Sequence, residues 1–141
     1  MDELLNEMIR IHFDKYRELT MLGDLSSQDG EKGILLFLYY YRQSPILSGT
    51  LKDLTGLTSG RVANILKQLE SKGLIIRKRD DEDQRKVMVS LTSDGLDKSA
   101  AAFRNLVDMN RDLLMYLGDE DARDFIRVFE RTLDFAGTKS N

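Results

Sequence analysis

The sequence predicts a mainly α-helical chain with one small β hairpin. Three observations carry that expectation. Apolar residues recur every three or four positions along most of the 141 residues, the spacing of amphipathic helices. One proline against ten glycines leaves room for long uninterrupted helices. Only around residues 74–91 does the period drop to two, on either side of a charged stretch, Arg77-Lys78-Arg79-Asp80-Asp81-Glu82-Asp83-Gln84-Arg85-Lys86. Alternation of that kind marks strands.

The first helix is carried by Leu5, Met8, Ile9, His12, Phe13, Tyr16 and Leu19. Gly23-Asp24 breaks it. Ser26, with Asp29 three residues on, has the form of a capping box. It opens a second helix through Ile34, Leu35, Phe37, Leu38 and Tyr41, apolar nearly all round and so expected to be buried. Ser44-Pro45 stops this helix, because the residue before a proline avoids the helical region. Ser48-Gly49-Thr50 starts a short helix containing Leu51 and Leu54, and Gly56 ends it. Thr58 or Ser59 caps the next, whose apolar stripe is Val62, Ile65, Leu66 and Leu69. Gly73 is placed to terminate it in the left-handed conformation.

Two short helices joined by a glycine turn form a helix-turn-helix. Leu74 and Ile76 alternate after it, as do Val87, Val89 and Leu91, so a hairpin follows the helix pair. The combination is a winged helix. Thr92 then caps a long helix through Leu96, Ala100, Phe103, Val107, Asn110, Leu114 and Leu117. Gly118-Asp119 turns the chain into a last helix through Phe125, Ile126, Phe129 and Leu133, with acids in its first turn, where the helix dipole favours them.

Composition narrows the function. There is no cysteine and one histidine, His12. Disulfides, thiolate metal sites and thiol redox sensing are therefore excluded, and a His-rich metal site within one chain is not expected. No Gly-rich phosphate loop, clustered histidines or convergent acid–base pair is visible, so the expectation is no catalytic residue, no metal, no cofactor and no enzyme. No apolar run reaches the roughly 18 residues needed to span a bilayer, and the acidic, amphipathic start, MDELLNEMIR, is unlike a signal peptide. A cytoplasmic protein is expected. The net charge is −3, but its distribution is uneven. From Thr50 to Lys86 nine bases face six acids, a net +3, which leaves −6 for the rest. Positive charge gathered on one segment is the footprint of a nucleic-acid contact.

Residues 57–95, LTSGRVANILKQLESKGLIIRKRDDEDQRKVMVSLTSDG, resemble the recognition helix, wing and following helix of the MarR family of transcriptional regulators. Val62, Leu69, Glu70, Gly73 and Leu74 fit the first part of its pattern. Arg77, Asp83 and Arg85 fit the second, and Val89, Leu91, Thr92 and Gly95 the third. The order of helices extends the resemblance over nearly the whole chain. Two positions depart from the family pattern: Lys52, where many members have Ala after the Leu, and Gln84, where Arg is usual. The resemblance implies one winged helix-turn-helix over 26–92, with its wing hairpin over 74–91. Dimerisation helices over 1–24 and 93–141 would flank it and interleave with a second copy.

On that basis the expected partner is double-stranded DNA, bound by a homodimer on a pseudo-palindrome and regulated as a repressor would. The alternative is a winged-helix module for protein or RNA contacts, without operator specificity. The N-terminal end of the recognition helix should enter the major groove, offering Thr58, Ser59, Gly60, Arg61, Ala63 and Asn64. Arg61 suits guanine or phosphate, Asn64 an adenine edge, and Ala63 a thymine methyl. Arg77, Arg79, Arg85 and Lys86 supply the wing's positive charge. The resemblance assigns Arg85 to the minor groove, where a narrow A·T tract attracts a guanidinium, with Asp83 orienting it. Asp80, Asp81 and Glu82 are expected only to be solvated. The resemblance also implies a small aromatic or lipophilic effector. Phe13, Tyr16, Phe37, Tyr40 and Tyr41 are the aromatic residues that could line its pocket, against the plainer expectation that most of them are core.

Overall fold

The structure, a computed structural model, describes residues 2–22 and 30–139. The expected break at Gly23-Asp24 and the Ser26–Asp29 capping box lie outside the described residues. The described residues divide into two compact units: one takes residues 2–22 together with 104–139, the other residues 30–103.

The second unit carries the winged helix. Its elements are α3 (Gly30–Tyr40), β1 (Ile46–Leu47), α4 (Ser48–Thr55), α5 (Ser59–Ser71), β2 (Ile75–Arg79), β3 (Val87–Leu91) and the first turns of α6 (Ser93–Gly137). Helix α3 buries Ile34, Leu35, Leu36, Phe37 and Leu38 in succession, as its all-round apolarity requires. Leu51 of α4 and Ile65, Leu66 and Leu69 of α5 complete this core, none more than 1% exposed. Gly30 permits the close approach of α3: a Cβ there would lie 2.6 Å from Ile65 Cδ1.

The sheet has three strands, in the order β1-β3-β2 and all antiparallel, where the sequence suggested two. Strand β1 is only two residues long and follows Pro45, too short to show alternation. The register also corrects the expected face of β2. Ile46, Arg77 and Val89 align across the sheet, with Val89 fully buried. Ile75 is 2% exposed whereas Ile76 is 55% exposed. Leu74 and Ile75 are thus consecutive inward residues, the first closing the helix–strand turn and the second opening the strand.

The first unit consists of α1 (Asp2–Asp14), α2 (Tyr16–Met21) and the later part of α6. The single N-terminal helix of the sequence reading bends at Lys15, whose φ/ψ of −113/24 is not helical. The hydrogen-bond ladder nevertheless continues, from Lys15 N–H to Ile11 C=O and from Leu19 N–H to Lys15 C=O, both 2.8 Å. Gly118, with φ 81 and ψ 166, breaks α6 where the sequence placed a turn. Leu4, Leu5, Met8, Ile9, Ile11 and Phe13 of α1 are buried, as are Leu114, Ala122, Ile126, Leu133 and Ala136 of α6. Arg10 bonds Glu7, Asp14 and Glu130, and Lys15 pairs with Asp134 at 2.9 Å. His12 packs edge-on against Phe13 and Tyr16. Its Nε2 is buried without a hydrogen-bond partner, and burial pushes its pKa down to about 4, so the ring is neutral at pH 7.

Among the described residues, no helix is long and apolar enough to cross a membrane, and no cluster of His, Cys, Asp or Glu could hold a metal ion.

Candidate nucleic-acid interface

Of the two expected caps, Thr58 is the one that forms. It is extended (φ −71, ψ 158), and its Oγ1 accepts the Arg61 N–H at 3.1 Å. A helix starting at Ser59 leaves its other first-turn amides without acceptors inside the helix. Those amides and the dipole make a positive end suited to phosphate. The turn before it is set by Gly56 (φ 74) and by Thr55, whose Oγ1 donates to Leu51 C=O at 2.7 Å and accepts from Leu57 N–H. Because Val62, Ile65, Leu66 and Leu69 face inward, the helical period turns Ser59, Gly60, Arg61, Ala63 and Asn64 to solvent, and all five are exposed.

The wing tip is built by its own acids. The Asp80 N–H donates to Lys86 C=O (2.9 Å), and the Lys86 N–H to Asp83 C=O (3.0 Å). Asp80 Oδ1 accepts the Glu82 amide at 3.1 Å, a local turn that short acidic side chains favour. Asp80 is therefore more than a solvated acid, whereas Asp81 and Glu82 are exposed as expected. Asp83 Oδ1 accepts both the Arg85 amide (3.1 Å) and Arg85 Nε (3.2 Å). The Arg85 guanidinium and then its amide hold the Asp83 carboxyl below its ordinary pKa. Arg85 itself stays 92% exposed, held at its base and open at its end. Gln84, at a departure from the family pattern, donates to Asp80 C=O (3.2 Å), and Arg79 donates to Gln84 C=O (2.7 Å). Lys78 and Lys86 are exposed.

At its other end α5 is anchored. Gly73 takes φ 73. The Leu74 N–H bonds Leu69 C=O and the Gly73 N–H bonds Glu70 C=O, both 3.0 Å, a Schellman closure. Thr92 Oγ1 donates to Gly73 C=O at 2.6 Å and accepts the Gly95 N–H at 3.0 Å, which ties α6 to this turn. Only glycine fits at 95, since a Cβ would sit 1.8 Å from Leu74 O. Two ion pairs hold the same end: Lys72 to Glu31 of α3 at 3.0 Å, and Arg77 of the wing to Glu70 at 2.8 Å. Sequence reasoning named Arg77 and Glu70 but not their pairing, because a contact spanning a helix, a turn and a strand has no periodic signature.

Helix α5 and the wing adjoin. A hollow of about 170 Å³ is lined by Ser59, Val62, Ala63 and Leu66 of α5, Ser48, Gly49 and Lys52 of α4, and Arg77 and Val87 of the wing.

The aromatic residues suggested for an effector are mostly core. Phe13, Tyr16 and Phe37 are 2%, 6% and 0% exposed, while Tyr41 is 38% exposed. Tyr40 and Tyr41 meet edge to face at 5.0 Å. A separate cavity of about 440 Å³ lies among Leu38, Arg42, Pro45, Val89, Leu91 and Leu96, with none of the five in its wall.

A family model described as "Transcriptional regulator SarA/Rot" matches residues 24–102. The organic hydroperoxide resistance transcriptional regulator of Bacillus subtilis is 54% identical over 39 residues, 28% of this chain and 26% of that protein. The uncharacterised HTH-type transcriptional regulator YdgJ of the same organism is 30% identical over 96 residues, 68% of this chain and 58% of that protein. The matches thus span about a quarter and under two thirds of those relatives. The S. aureus MepR–DNA complex superposes with a TM-score of 0.67 at 22% identity, covering 95% of this chain and 96% of MepR. A MarR transcriptional regulator from Methanosarcina mazei Go1 does so with a TM-score of 0.65 at 22% identity, covering 92% and 94%. With a model of the family matching more than half its length and the fold of MarR-type winged-helix regulators, the chain belongs to the SarA/Rot family of transcriptional regulators.

Proposed function

We propose that the protein is a sequence-specific double-stranded DNA-binding repressor that acts as a homodimer on a pseudo-palindromic operator. The observation that carries this reading is the pairing of two exposed elements on one winged helix. They are the capped N-terminal end of α5, with Arg61, Ala63 and Asn64, and a wing tip whose internal bonds leave Arg85 92% exposed. The helix end suits the major groove and the Arg85 guanidinium the adjacent minor groove. Thr58, Ser59 and Gly60 offer amides and hydroxyls to phosphate, and Arg79 and Lys86 add charge along the backbone. Asp83 keeps Arg85 in position.

One winged helix reads few base pairs, so high specificity calls for two half-sites. The first unit supplies apolar surface for a second copy. Met109, Leu113 and Tyr116 recur on one helical stripe and are 73%, 38% and 88% exposed, and Val128 and Phe135 on another are 50% and 62% exposed. A soluble monomer rarely leaves so much large apolar surface uncovered. A small aromatic or lipophilic effector that releases DNA would enter against Tyr40 and Tyr41, the less buried of the five aromatic residues.

The test is selection of bound sequences from a random duplex pool. A palindrome with half-sites about one helical turn apart is the expected result. Recovery of no consensus, with RNA or protein bound instead, would overturn the operator reading in favour of an interaction module.

A further inference from the structure

The bases of the wing do not share one environment. Arg85 extends from the tip, 92% exposed. Arg77 is 30% exposed, and its Nη2 lies 2.8 Å from Glu70 Oε1. It aligns with Ile46 and Val89, both buried, so its stem rises from the inner face of the sheet. Glu70 sits in the last turn of α5, where the Arg77 hydrogen bond holds its carboxyl below the ordinary value. The Schellman turn between them fixes one end of the helix–strand junction. The ion pair closes a ring across that junction, from a helix to a strand.

We infer that the Glu70–Arg77 pair is a strut that sets the angle between recognition helix and wing, and that Arg77 is a positioning residue rather than a phosphate ligand. The inference rests on the DNA-binding reading. Both groups are substantially exposed, and such pairs contribute little to folding stability. What a strut fixes is the separation between the Asn64 end of α5 and the Arg85 tip. A duplex needs that separation to be constant, so loss of the strut should register in DNA affinity far more than in melting temperature.

The two roles of Arg77 predict opposite signs at Glu70. The experiment titrates the duplex recovered by selection, over a salt series, with the wild-type chain, Glu70→Gln, Glu70→Asp, Arg77→Gln, the double Gln variant, and the exchanged pair Glu70→Arg with Arg77→Glu. A strut predicts that Glu70→Gln weakens binding about tenfold, although it removes a negative charge near DNA. Arg77→Gln should lose about as much with the salt slope unchanged, and the double variant should be no worse than either single. Glu70→Asp, which keeps the charge but shortens the reach, should also lose affinity, and the exchanged pair should recover most of it. Equal or tighter binding by Glu70→Gln, with a salt slope reduced by about one in Arg77→Gln, would make Arg77 a phosphate ligand and overturn the strut. Wild-type chain that binds no duplex would overturn the DNA reading itself. Wild-type binding with tighter Glu70→Gln would overturn only the strut.

Discussion

The two ends of α5 differ in what their polar groups touch. At the N-terminal end Thr58 spends its side chain on one amide, and Arg61, Ala63 and Asn64 face solvent. At the C-terminal end Glu70 meets Arg77, Lys72 meets Glu31, and Thr92 caps the turn. The wing repeats the contrast, with Arg85 reaching outward from its tip and Arg77 turned onto the helix at its root. Charge alone therefore does not designate a DNA contact. By this account a base closed onto another element, as Arg77 is, positions other residues, and one whose end projects into solvent, as that of Arg85 does, is available to a partner.

That contrast can be tested from the strongest effect downward. Arg85→Ala should weaken operator binding by about 2–3 kcal/mol and lower the salt slope by about one, with melting temperature unchanged because the side chain covers nothing. Equilibrium titrations at several salt concentrations measure both quantities; an unaltered slope would place Arg85 off the phosphates and out of the groove. Asn64→Ala should cost about 1–2 kcal/mol at one base pair and relax the preference there, visible when selection is repeated with the variant. Lys72→Ala, at the anchored end, is its control and should leave both consensus and affinity within about 0.5 kcal/mol. Equal losses in Asn64→Ala and Lys72→Ala would erase the distinction between the two ends.

Much of this was legible in the sequence. Gly56, Gly73 and Gly118 mark helix ends or breaks, and all three adopt positive φ. The stripe Val62-Ile65-Leu66-Leu69 assigned the buried face of α5, and thereby the exposed one. Other features were hidden for physical reasons. Two residues, Ile46-Leu47, cannot display a period. Leu74, Ile75 and Ile76 are all apolar, so composition could not say which faces water; the strand register decides it. The bend at Lys15 interrupts no apolar spacing, because the ladder runs through it. Asp80 looked like one acid in a run until its bond to the Glu82 amide set it apart. Glu70 and Arg77 were both noted as parts of a motif, yet their pairing depends on a three-dimensional turn and follows from no spacing rule.

The most direct test of the central claim is a backbone amide spectrum of the wild-type chain recorded with increasing operator duplex. Shifts concentrated at residues 58–64 and 80–86, saturating together at one duplex per pair of chains, are the predicted result. Shifts that cluster at residues 68–72 while the wing tip stays unmoved would contradict it.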